Sequence, residues 1–200
     1  MRESPPVSTN DPTGTLSPVS PQRAEANLWF GMVLAHAAAA MLFCAVAFAA
    51  DFYRMRGFWP PAFALPGRFV PSLAGVLLVM GGVLQHVALR HVADPRRARG
   101  WMLGILGAGA AFLATQAAWL HVLWWHRDLR IPESGVFAST LYGLSAVQAA
   151  HAAAVLTGLL RATLRTLRGL EARASLRRAL PGWWCTTVMY GVLFAVVYLP

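Results

Sequence analysis

Residues 141–160 read LYGLSAVQAAHAAAVLTGLL, an apolar run with one amide, Gln148, and one imidazole, His151. The run lies inside a longer window, 134–160, that contains no Asp, Glu, Lys or Arg. At ~1.5 Å of rise per residue, a helix of that length crosses a hydrocarbon core of ~30 Å. Four further windows have the same character, at 26–50, 69–89, 100–126 and 179–200. The chain thus reads as all-α, an integral membrane bundle of five transmembrane helices. They are predicted near Leu28–Ala50, Val70–Leu89, Trp101–Trp125, Val136–Leu160 and Gly182–Leu199.

Composition agrees. Of 200 residues, 57% are hydrophobic and 12% charged, with a mean hydropathy of +0.51. Soluble domains carry about a quarter charged residues, so this balance excludes an ordinary soluble domain. The 17 basic residues are all arginine and stand against 8 acids. In a soluble protein such an excess suggests nucleic acid; in a chain with five apolar spans it sets topology, and no nucleic-acid partner is expected. Arginines concentrate in the N-terminal tail, the 90–100 loop and the 161–178 loop. The other side holds only Arg54, Arg56, Arg68, Arg127 and Arg130. By the positive-inside rule the N-terminus is cytoplasmic and the C-terminus outside. The stretch RATLRTLRGLEARASLRR at 161–178 reads either as a basic extension of the fourth helix against anionic lipid or as a plain loop.

Residues 1–27 are a different material, with prolines at 5, 6, 12, 18 and 21 among Ser, Thr and Asn. They read as a disordered cytoplasmic tail preceding a transmembrane domain at 28–200. The apolar run behind them is too long for a signal-peptide core.

Within the spans, small residues mark close helix packing. Gly100 and Gly104 form a GxxxG pair continued by Gly107 and Gly109, and alanine-rich faces surround His36 and His151. Trp124, Trp125, Trp183 and Trp184 are expected in interfacial belts. Cys44 and Cys185 read as small apolar fillers, without a CxxC pattern.

The spans contain no charged residue, so their chemistry is confined to His, Tyr and amides. His86, His91, His121 and His126 fall near helix ends and read as wet interfacial residues. His36 and His151 are deep, roughly 10–15 Å from the cytoplasmic helix ends, and could face one another. A haem held between them is one reading, although di-haem membrane cytochromes need two stacked pairs. A hydrogen-bonding anchor is the other, with Gln148 and His151 at i and i+3 on one helix face. Gln116 and Trp119 repeat that spacing. Phosphate loops, HExxH and GxSxG are absent. Spans without a Pro break also argue against a secondary transporter.

Taken in order, several segments resemble subunit III of the haem-copper terminal oxidases in its short five-helix bacterial form. FWPPAFALP at 58–66, with Trp59 and Pro60, is similar to the family's Trp-Pro-Pro…Leu-Pro connection. FLATQAAWL at 112–120 resembles Phe-Leu-x-x-Gln-x-x-Glu-Trp/Tyr through Gln116. IPESGVFAST and the run that follows resemble Asp-Gly-x-Tyr-Gly-Ser-Thr-Phe-Phe…Thr-Gly-Phe-His-Gly-Leu-His-Val. WWCTTVMYGVLFAVVYL at 183–199, led by Trp183, is similar to Trp-His-Phe-Val-Asp-Val-Val-Trp…Val-Val-Tyr-Leu. The resemblance covers about residues 28–200.

Departures fall on the polar positions. The family's Ser-Glu pair lands on Ala38 and Ala39, its first histidine on Gln148, its later glutamate on Trp119, and its last His and Asp on Trp184 and Thr187. His151 alone survives from the histidine pair. The resemblance implies an accessory subunit of a respiratory complex in the bacterial inner membrane, without cofactors or an active site of its own. Haem and copper would belong to the catalytic subunit I on which it packs, beside other subunits and bound lipid. Trp59, Pro60, Gln116, Gln148, His151 and Trp183 would be packing or lipid-contact positions. A subunit-III-like partner of nitric oxide reductase is a close variant.

The arginine distribution makes a direct prediction. An alkaline phosphatase fused after Pro200 is expected to be active, and one fused in the 90–100 loop inactive, because only exported phosphatase folds. The reverse pattern would invert the topology.

Overall fold

Each predicted span is a helix in the computed structural model, which describes residues 21–60, 65–91, 94–168 and 173–199. The five helices are α1 (Pro21–Met55), α2 (Phe69–Arg90), α3 (Pro95–His126), α4 (Gly135–Leu167) and α5 (Arg173–Tyr198). The shortest has 22 residues, enough to cross the apolar core of a bilayer. Five helices long and apolar enough to span a membrane make the chain a multi-pass membrane protein.

The helices outrun the charge-free windows. α1 begins at Pro21 rather than Leu28, so Pro21–Asn27 of the expected disordered tail is helical; residues 1–20 lie outside the described residues. Pro21 suits a first helical position because no earlier carbonyl needs its missing N–H, and Gln22, Ala24, Glu25 and Ala26 then propagate the helix. α4 carries Arg161 and Arg165 along its last two turns and caps at Arg168, whose backbone N–H bonds the Leu164 and Arg165 carbonyls. The basic stretch thus extends α4 in its first part. Arg173–Leu180 begins α5, while residues 169–172 lie outside the described residues. α5 also runs through Pro181, so the expectation of spans without a Pro break is corrected. Hydropathy reports where the chain meets water, not where its hydrogen-bond ladder stops.

α2, α3, α4 and α5 pack as a closed ring, α2 on α3, α3 on α4, α4 on α5 and α5 back on α2. α1 lies outside it, against α4 and α5 only. Its outer face is exposed along Phe30, Leu34, Met41 and Phe48. Apolar exposure of that kind suits lipid contact.

The ring closes through aromatic residues of α5 resting on bare backbone. Trp183 is 2% exposed. Its indole lies so close to Gly81 that a Cβ there would overlap the ring, with Cε2 at 2.8 Å. Across the ring, a Cβ on Gly109 of α3 would meet Cη2 of the same indole at 3.0 Å and overlap Leu156 of α4. Gly82 makes room for Trp184 at 3.0 Å, and Gly75 for Tyr190 at 3.4 Å. Trp183 is therefore a core residue, not part of the interfacial belt expected for it. Its helix starts at Arg173, and that places it well inside the span. Trp125, 59% exposed, keeps the peripheral position.

Small residues act here as predicted, but not at the predicted pair. A Cβ on Gly100 or Gly107 would meet open space, and one on Gly104 would touch only Leu84 at 3.6 Å. Substitution should separate the two classes. Gly81→Ala is expected to destabilise the bundle by about 1–3 kcal/mol, the cost of overpacking. Gly107→Ala is expected to be neutral or slightly stabilising, because alanine is the better helix former. Unfolding midpoints in mild detergent titrated with SDS measure both.

Candidate functional site

Polar side chains singled out in the sequence tie helix to helix. Gln148 is fully buried on α4 and its amide donates to the Thr186 carbonyl of α5 at 2.7 Å. Gln116 of α3 donates to Ser145 Oγ of α4 at 3.1 Å. Trp119, at i+3 from Gln116, donates through its indole N–H to the Tyr198 hydroxyl of α5 at 2.9 Å. The indole N–H of Trp183 reaches the Leu78 carbonyl of α2 at 2.8 Å.

Three more ties had no counterpart in the sequence reading. Gln85, buried on α2, donates to the Leu176 carbonyl of α5 at 3.2 Å, on the stretch of helix that precedes Pro181. The Tyr190 hydroxyl donates to the Pro71 carbonyl at 2.8 Å, and Arg99 of α3 to the Leu167 carbonyl at 3.2 Å. Gln85 was legible as an amide inside an otherwise apolar span. The tyrosines were not, since Tyr is common at helix ends for solvation alone.

His36 and His151 do meet. Their ring centroids are 5.1 Å apart and the rings stand edge to face at 86°. Three local features place them. Each lies on an alanine-rich face, so α1 and α4 approach closely. Gly182 of α5 has no side chain, and His36 Nε2 lies against the space a Cβ would fill. The carbonyl of Met32, one turn earlier on α1, lies 2.6 Å from His36 Nδ1. A carbonyl only accepts, so Nδ1 carries the hydrogen and Nε2 keeps its lone pair. The Nε2 atoms of both histidines are buried without a hydrogen-bond partner.

The pair forms one end of a cavity of about 470 Å³ between α1, α4 and α5. Met32, Ala35, Ala154 and Val155 line its walls, and Arg161, Arg165 and Arg178 its other end. A second cavity of about 750 Å³ lies beside Trp59 and Pro60, bounded by Trp119, Arg127 and the start of α4. Trp59 stacks edge to face on Phe137 at 4.9 Å, and its buried indole nitrogen has no partner.

The other histidines are local. His86 and His91 face the carbonyls one turn before them, at 3.1 and 2.9 Å, and His121 stacks near Trp125 and His126. Cys44 and Cys185 are free thiols. Among the described residues no three His, Cys, Asp or Glu side chains group so as to hold a metal ion.

A haem between His36 and His151 does not fit this arrangement. Axial imidazoles sit on opposite faces of the iron with metal–nitrogen bonds of about 2 Å, which holds them apart with the macrocycle between. Here the edge of one ring touches the face of the other. In comparisons with known proteins, no family model matches the chain and no curated protein matches it.

The tie between α3 and α4 is directly measurable. In a double-mutant cycle, Gln116→Leu and Ser145→Ala are expected to couple by about 0.6 kcal/mol, a typical hydrogen bond between membrane helices. Strictly additive destabilisation would show that the bond contributes nothing.

Proposed function

We propose that this chain is a cofactor-free accessory subunit of a respiratory haem-copper oxidase, resembling subunit III. It packs on the catalytic subunit, stabilises it and holds lipid, with its N-terminus on the cytoplasmic side of the bacterial inner membrane. The observation that carries this reading is how the polar groups at the matched positions are used. Gln116, Gln148 and Trp183 each bond a neighbouring helix. Such residues build a scaffold. The ordered resemblance of four segments across 28–200 supplies the family context.

The molecule also offers a surface suited to a partner. α1 and α2 flank α5 without packing on each other. Between α2 and α5 an apolar groove of about 720 Å³ is walled by Gly75, Val76, Val79, Thr187, Gly191 and Phe194. Small residues along such a groove let a helix backbone approach, and close approach drives association in lipid. A nitric oxide reductase as the catalytic partner is the variant of the same role.

Purification of the tagged chain from its native membrane in mild detergent tests the proposal. A haem-copper catalytic subunit is expected to co-purify, with its Soret band lost when the partner is stripped away. If the isolated chain keeps a Soret band that His151→Ala abolishes, it is a haem protein and the accessory reading fails.

A further inference from the structure

We propose that the slot between α1, α4 and α5 holds an acyl chain of an anionic phospholipid, with its headgroup phosphate on Arg161 and Arg165. This rests on the lipid-holding part of the proposed role and names the place and the lipid. On α4 the lining residues His151, Ala154, Gly158, Arg161 and Arg165 recur at spacings of three or four, so they form one stripe of the helix. Between His151 and the two guanidinium groups the stripe is small and apolar. Arg161 is the first charged residue after the 134–160 window, which places it where hydrocarbon gives way to headgroups. His151 closes the deep end ten residues earlier, about 15 Å away. That is the depth of one leaflet, half of a ~30 Å hydrocarbon core.

The width excludes a protein helix. Over that length, a cavity of about 470 Å³ has a mean cross-section of about 30 Å². A helix ~10 Å across needs roughly 80 Å², so a flexible chain enters where a partner's span does not. Leu28, Ala35, Ala154 and Gly158 line the slot and are also exposed, so it opens sideways onto the bilayer. Charge selects the head. Arg161, Arg165 and Arg178 line the shallow end, and no described lining residue is Asp or Glu. Neither Arg161 nor Arg165 pairs with a carboxylate among the described residues. Guanidinium groups bind phosphate oxygens through paired hydrogen bonds, and basic pockets between membrane helices take acidic headgroups. A zwitterionic lipid brings its own ammonium group, which the same arginines repel. α1 packs on α4 and α5 alone, so a chain seated here also fastens that helix to the ring.

Native mass spectrometry of the full chain, equilibrated in mild detergent with equal phosphatidylglycerol and phosphatidylcholine of matched acyl chains, counts the lipids retained. Phosphatidylglycerol is expected to be retained about tenfold over phosphatidylcholine. Arg161→Gln with Arg165→Gln is expected to bring the two lipids close to parity. Arg90→Gln with Arg97→Gln removes the same charge where α2 meets α3, and is expected to keep the preference. Gly158→Leu tests the slot with the arginines intact. A Cβ there meets open space, so the packing is undisturbed, while the longer side chain occupies the path of the acyl chain. Retention of phosphatidylglycerol is expected to fall severalfold. Equal retention of the two lipids by the parent overturns the proposal, as does an equal loss in the Arg90 and Arg97 variant, which makes the preference one of bulk charge. Undiminished retention by Gly158→Leu also overturns it, leaving the headgroup on a surface patch. So does displacement by millimolar inorganic phosphate, which assigns the arginines to the free anion. If no haem-copper subunit co-purifies while phosphatidylglycerol is retained, only the accessory role falls; lipid parity with co-purification intact removes this site alone.

Discussion

The indole of Trp183 lying on the bare backbone of Gly81 is the contact on which the bundle depends. Water cannot drive helices together inside a bilayer, where lipid tails are as apolar as leucine, so association rests on close packing and hydrogen bonds. Trp183 supplies both at one place. Its ring fills the space left by Gly81 of α2 and Gly109 of α3, and its N–H bonds the Leu78 carbonyl. A side chain at either glycine would push α5 outward and open the ring of four helices. Gly82 under Trp184 and Gly75 under Tyr190 repeat the device along the same interface.

Around that contact, polar ties join three of the four sides of the ring. Gln85 and Tyr190 add to the α2–α5 side, Gln116 and Arg99 join α3 to α4, and Gln148 joins α4 to α5. Trp119 to Tyr198 crosses between α3 and α5. Apart from Arg99, whose bond is exposed, the donors are uncharged, which suits this work because a buried amide or indole costs far less to desolvate than a charged group. The amides and indoles inside the spans act between helices. His36 and His151 are the exception. They meet each other at the end of a cavity with both Nε2 atoms unpaired, and so they stand apart from the scaffold.

Much of this was legible residue by residue. Five spans follow from charge-free windows, because a charged side chain in hydrocarbon is expensive and length maps directly onto bilayer thickness. The depth of His36 and His151 and the i, i+3 faces of Gln148–His151 and Gln116–Trp119 follow from helical geometry. Where reading failed, the reason was local. Arg177 and Arg178 close the last charge-free window, so Trp183 looked like a residue near a helix end. The helix in fact begins at Arg173 and carries Trp183 into the core. GxxxG spacing pointed to Gly100 and Gly104, but spacing says only that a helix can be approached, not that a neighbour is there.

The sequence by itself determined that this is a five-span membrane protein with uncharged spans, since hydropathy and length depend on each segment alone. Tertiary structure alone decided which glycines receive an aromatic ring and which donors find carbonyls. It also placed α1 outside a closed ring, so that His36, His151 and Gly182 share one cavity. Those outcomes depend on the relative rotation and depth of helices far apart in the chain. Rotation and depth are set by packing between surfaces, which no single span encodes.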